Sequence, residues 1–250
     1  MKKLFPDMFD RPSTRRVVSA LGCCLFPFFL IPYLLHIMTV DIPTEYNTKA
    51  WLDIGYHVVN AVTMLVIYGA YMKESFFNVR FNVKNFFGVV GIAAGAMILA
   101  GYVVGRMIGF TENNWLAFSI FPLTECEMLL LPGDIVYVQP LLGLLCMVLL
   151  TPIAISGMYY ASAFSPICTS SRPWMAYIVV AVYLLVPRLL FSVSFWLLEE
   201  ELALYLVQLP VHLIACWSYQ KTDTIWAPIC SLAIVNLISS LGLILFYSFA

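Results

Sequence analysis

Long apolar runs recur along the whole of this chain, each close to the ~20 residues an α-helix needs to cross a hydrocarbon layer. They fall at about 17–40, 53–72, 85–109, 135–163, 174–198, 202–218 and 226–249. A backbone in hydrocarbon must satisfy its own N–H and C=O groups, which leaves the helix as the element for runs of this length. The expected fold is therefore all-α: a polytopic membrane helical bundle of about seven transmembrane helices, forming a single transmembrane domain over residues 1–250. Composition agrees. Only 11% of residues are charged and 62% are hydrophobic, whereas a soluble domain carries roughly a quarter charged residues. The stretch 115–131 is also apolar, but Pro122, Glu125 and Glu127 interrupt it, so it reads as a re-entrant or interfacial segment. The run at 17–40 is too long for a signal-peptide core and no small-residue cleavage site follows it, so it reads as a retained span.

The charges test this layout, because cytoplasmic loops are enriched in Lys and Arg. Lys2, Lys3, Arg11, Arg15 and Arg16 precede the first run, which places the N-terminus in the cytoplasm. Counting through seven spans, the remaining inner loops hold Lys73, Arg80 and Lys84, then Arg172, then Lys221. The outer loops hold Asp41, Glu45, Glu112, Glu125, Glu127, Asp134 and Glu199–Glu201, with Lys49 as their one base. The expected protein is thus an integral, multi-pass membrane protein with its C-terminus outside. The three glutamates at 199–201 read as solvated side chains at a helix start, where they suit the helix dipole.

Two arginines fall inside apolar runs. Arg106 is near the outer end of its run, where its side chain can reach the headgroups. Arg188 follows Pro187 in mid-run, where an internal, polar-facing role competes with a lipid-facing one. His57 shares one helical face with Asp53 and Asn60, a spacing that suits a helix–helix hydrogen bond and also a polar site. Pro27, Pro32, Pro140, Pro152, Pro187 and Pro210 each remove a donor and free a carbonyl that surrounding protein or water must satisfy. Pro152, followed by Ser156, Tyr159 and Tyr160, points to an internal cavity. The cysteines lie mostly in apolar runs, where Cys acts as a small hydrophobe. No CxxC or Cys/His cluster occurs, so neither a metal nor another cofactor is expected.

The C-terminal half, residues 135–245, resembles the CAAX protease and bacteriocin-processing family of intramembrane proteases. The stretch Trp217-Ser-Tyr-Gln-Lys-Thr-Asp-Thr-Ile-Trp-Ala-Pro-Ile229 is similar to the lead into that family's last conserved helix, and Asn236 falls where that helix carries the Asn of a His-x-x-x-Asn motif. Thr151-Pro152-Ile153-Ala154 matches the Pro-Ile that opens the family's Glu-Glu-x-x-x-Arg motif. Phe191-Ser-Val-Ser-Phe195 stands where a Phe-x-x-x-His motif belongs. The resemblance implies a family-like core over 135–245 with degenerate catalytic motifs. It puts Ile155 and Ser156 at the two glutamates, Tyr160 at the arginine, Phe195 and Leu232 at the two histidines, and leaves only Asn236.

Peptide hydrolysis needs a titratable base near the scissile carbonyl and donors for the developing charge. Ile155, Phe195 and Leu232 supply neither, and no matched His or Lys activates Ser156. The resemblance therefore implies a pseudoenzyme whose cavity is lined by Ile155, Ser156, Tyr159, Tyr160, Phe191, Phe195, Leu232 and Asn236, with Arg188 and His57 as a further intramembrane polar site. Such a lining suits a scaffold or binder of a hydrophobic or lipidated peptide, a lipid or a partner membrane protein, and no nucleic acid. Two alternatives stand beside it. One is an active intramembrane endopeptidase with relocated residues, drawing on Glu125, Glu127, His57 or Arg188. The other is a small membrane transporter component, which the absence of a visible internal repeat counts against.

Overall fold

The computed structural model describes residues 46–107, 140–168, 173–195 and 198–249. Every extended element in them is helical. We label these α1 (Tyr46–Phe81), α2 (Val83–Met107), α3 (140–168), α4 (Pro173–Phe195), α5 (Leu198–Thr222) and α6 (Trp226–Phe249). Two stretches, Val83–Gly105 and Leu142–Phe164, are long and apolar enough to cross a membrane. The expected span at 17–40 and the segment 115–131 lie outside the described residues.

The helices overrun the apolar runs that located them. α1 covers 36 residues where hydropathy marks 53–72, and α5 begins and ends about four residues beyond 202–218. The overrun is polar: Lys73, Glu74 and Arg80 on α1, and Glu199 to Glu201, Gln220 and Lys221 on α5. Hydropathy marks the apolar portion of a helix, whereas the backbone hydrogen-bond ladder continues until a capping or turn residue stops it.

Side-chain pairings fix the direction of each helix. His57 meets Thr151 and Met64 approaches Gly157, so α1 and α3 run the same way. Tyr160 meets His212 and Ser165 meets Tyr219, so α5 runs with them. Tyr177 donates to Gln220 and Tyr205 to the carbonyl of Ala181, which makes α4 antiparallel to α5. Phe86 packs on Ala227 and Ser231 donates to the carbonyl of Val90, so α2 and α6 run together. The chain thus alternates direction from each described helix to the next.

The turn from α5 to α6 is tied to α1. Asp223 adopts a left-handed backbone (φ 51°), a conformation that the short polar Asp tolerates better than most residues and that reverses the chain. Thr224 Oγ1 then accepts from the Trp226 N–H, as an N-cap does. Ser75 of α1 completes the cap. Its hydroxyl donates to Thr224 Oγ1 while accepting from the Ile225 N–H, and Thr224 Oγ1 donates to the Ser75 carbonyl. Trp226 Nε1 donates to the Met72 carbonyl at 2.8 Å. Lys73, Arg80, Lys84 and Lys221 are all exposed at this end of the bundle, together with Glu74 and Asp223.

The bundle is apolar outside and partly polar inside. Val66 is 79% exposed, and Phe87, Ile92 and Leu99 are each 64% exposed. Inside, α3 runs through the middle of one continuous hydrophobic cluster that joins Met64, Met97, Ile155, Tyr160, Phe164, Val180, Val211, Leu232 and Val235. Every residue from Thr151 to Ser165 is buried except Ile153, which is half-buried.

Candidate functional site

The site is built around an irregular α3. Two stretches, Cys146–Leu150 and Ser156–Phe164, have the wider i→i+5 register of a π-helix and flank a short α-helical stretch, Thr151–Ile155. Such insertions bend a helix and recur at functional sites. The reason for the first is legible in the hydrogen bonds. The Thr151 N–H donates to the Cys146 carbonyl, five residues back. The next donor in that register would be residue 152, aimed at Met147, but Pro152 has no N–H. Asn236 of α6 fills the gap, its Nδ2 donating to the Met147 carbonyl at 2.7 Å. A side chain 89 residues away replaces the donor that proline removed.

His57 lies beside this point. Its Nδ1 is 3.1 Å from Thr151 Oγ1, and that hydroxyl donates to the Cys146 carbonyl. With the Thr151 proton so engaged, His57 Nδ1 is the donor of the pair, which sets its tautomer. The expected helix–helix contact for His57 is thus found on α3. Asn60, one turn further along α1, is 1% exposed, and neither its Nδ2 nor its Oδ1 has a hydrogen-bond partner among the described residues. The same holds for Ser156 Oγ and for Asn236 Oδ1.

A second polar layer lies roughly two turns along α3. Tyr160 OH and His212 Nδ1 are 2.8 Å apart and fully buried. The Tyr159 and His212 rings meet edge to face with centroids 4.8 Å apart, and Tyr159 also packs edge to face with Tyr183 at 5.6 Å. Toward the basic end, Tyr71 OH donates to Tyr219 OH, which donates to Ser165 Oγ.

The positions that the family resemblance singles out are distributed as follows. Ile155, Tyr159, Tyr160 and Leu232 share the central cluster, with Ile155, Tyr160 and Leu232 at 0% exposure. Ser156 is buried within α3, and Asn236 is bonded to α3. Asn236 and Tyr160 belong to different polar layers. Phe191, Phe195 and Arg188 fall on α4, but their side chains lie outside the described residues.

Among the described residues no base is bonded to Ser156 Oγ, so none of them activates it as a nucleophile. Cys168, at the end of α3 and half-buried, has its thiol pKa raised by desolvation, which disfavours the reactive thiolate. No group of three or more His, Cys, Asp or Glu is placed to hold a metal among the described residues. The arrangement offers neutral donors and acceptors, which bind by hydrogen bonding.

Three parts of this site escape a reading of the sequence. Gly157 and Ala161 form the small-xxx-small spacing that allows helices to approach closely, and that is the available signal for the α1–α3 contact. His212 has no carboxylate at helical spacing in the sequence, and its bond to Tyr160 crosses to another helix. Asn60 stands out in the sequence only as a neighbour of His57. No protein-family model matches the sequence, no characterised protein matches it, and no solved structure matches the fold.

Proposed function

We propose that the chain is a multi-pass membrane protein of seven spans, with the N-terminus cytoplasmic and the C-terminus outside. The exposed apolar side chains along α1, α2 and α4 support it, since a soluble monomer rarely leaves large contiguous apolar surface in water. So does the gathering of Lys73, Arg80, Lys84 and Lys221 at one end. Cysteines introduced singly at Asn47 and Ser170, in a background without native cysteines, should label from opposite faces of the membrane, Asn47 from outside. Labelling of both from one side would sink this topology.

Within that bundle we propose a non-catalytic member of the CAAX protease-like group, one that holds an apolar peptide, lipid or partner helix without cleaving it. One observation carries this reading: Asn60, Ser156 and Asn236 bury four neutral hydrogen-bonding atoms without a protein partner among the described residues. An unpaired polar atom in a water-free interior costs on the order of 1–3 kcal/mol, and a bound amide or hydroxyl would remove that cost. The side chains at one glutamate-type and one histidine-type position, Ile155 and Leu232, are apolar and packed into the same cluster, where they can neither take up nor donate a proton.

A photocrosslinking residue placed at Asn60 or Ser156 should capture an apolar peptide, lipid or membrane helix from mild detergent, and Asn60→Leu should weaken its copurification. Purified protein should leave prenylated and transmembrane peptides intact, because losing a general base alone costs about 10²–10⁴ in rate. Cleavage that disappears on mutating Glu125, Glu127 or His57 would replace this reading with an enzyme whose active site has moved.

A further inference from the structure

The junction between α1 and α2 carries a feature that the interior site does not use. Lys73, Phe76, Phe77 and Arg80 occupy positions i, i+3, i+4 and i+7 of α1, which places them on one helical face. All four are exposed. The Arg80 guanidinium carbon lies 5.8 Å from the centre of the Phe76 ring and 5.5 Å from that of Phe77. Phe76 is in turn fixed by Trp226, edge-on at 5.6 Å, and Trp226 is anchored on the Met72 carbonyl. After Asn82 the chain turns into α2, where Lys84, Val83 and Phe87 are exposed.

Under the membrane reading proposed above, on which this inference rests, the face starts where the apolar run of α1 ends, at the headgroup level. Exposed phenyl rings suit the acyl boundary and cations suit the phosphates above it. A guanidinium stacked on rings uses its faces for them and keeps its in-plane N–H donors for an oxyanion. We propose that Lys73, Phe76, Phe77, Arg80 and Lys84 form a binding site for the phosphodiester headgroup of an anionic phospholipid in the inner leaflet. The cations hold the phosphate, and the rings lie against the upper acyl chain. The occupant is a lipid rather than free phosphate because Phe76, Phe77 and Phe87 would otherwise face water.

The test is lipid retention by the full chain, reconstituted in phosphatidylcholine vesicles with or without phosphatidylglycerol. Phosphatidylglycerol bound to the extracted protein is then counted by native mass spectrometry. The wild type should retain phosphatidylglycerol over phosphatidylcholine, and each neutralised cation should weaken retention about fivefold. K73Q/R80Q/K84Q should therefore lose the preference, while K2Q/K3Q should keep it. Retention unchanged in the triple variant, or lost equally in K2Q/K3Q, would overturn the site. Competition by inorganic phosphate as strong as by the lipid would overturn the choice of a lipid. Insertion into neither vesicle would overturn the membrane reading itself, an outcome distinct from insertion without lipid preference.

Discussion

Gly157→Ala should destabilise the bundle by about 1–3 kcal/mol, and larger residues at this position by more. A Cβ built on Gly157 would stand 2.8 Å from Cβ, Cγ and Sδ of Met64. Two of those atoms lie close to the α1 backbone, so the clash cannot be relieved by swinging the end of a flexible side chain. Either α1 or α3 must move, and both are packed along most of their length. The expected readout is a lowered thermal midpoint in detergent with the fold retained.

Met64→Ala gives the control. Alone it should cost about 2–5 kcal/mol by leaving a cavity in the central cluster. Combined with Gly157→Ala it should cost less than the sum of the two, because the new methyl occupies part of the emptied space. Coupling of about 0.5 kcal/mol or more is expected for residues in contact. Additive effects would mean that the α1–α3 approach is looser than the structure has it. The two helices would then no longer hold His57 against Thr151.

The pair also shows what is and is not legible in the amino-acid order. Helical class follows from composition and run length, because continuous apolar runs of about 20 residues suit a helix that satisfies its own backbone. The ends of α1 and α5 escape since they are polar, and hydropathy does not register them. The interior is harder. His57 and Asn60 stand out as polar residues on one face, but the partner Thr151 lies 94 residues along, and no spacing rule links the two. Tyr160 is singled out twice, as a hydroxyl following Pro152 and, through the family resemblance, at the arginine position of the motif. Its actual pairing with His212 depends on α3 and α5 running in parallel, which is a property of the assembled bundle. That Pro152 frees a carbonyl is readable from its chemistry alone. Which carbonyl, and what satisfies it, depends on the π register of the turn before it.

Asn236→Leu should therefore destabilise the protein through Met147. Without the Nδ2 donor the Met147 carbonyl is left unpaired inside the bundle, a loss of about 1–2 kcal/mol on the scale of membrane and buried hydrogen bonds. The single variant understates it, because the same substitution removes Asn236 Oδ1, which has no partner among the described residues and whose burial is itself unfavourable. A double-mutant cycle with Pro152→Ala separates the two. The alanine introduced by that substitution has an N–H and, in the register set by Thr151 and Cys146, that N–H reaches the Met147 carbonyl itself. Asn236→Leu should then cost clearly less in the P152A background than in the native one. The Oδ1 contribution is common to both backgrounds and cancels in the difference. Equal costs, measured by chemical or thermal unfolding in the same detergent, would show that Asn236 does not replace the proline's missing donor. Asn236 would then be left as a polar group without a structural task, and the case that it serves a bound ligand would be stronger.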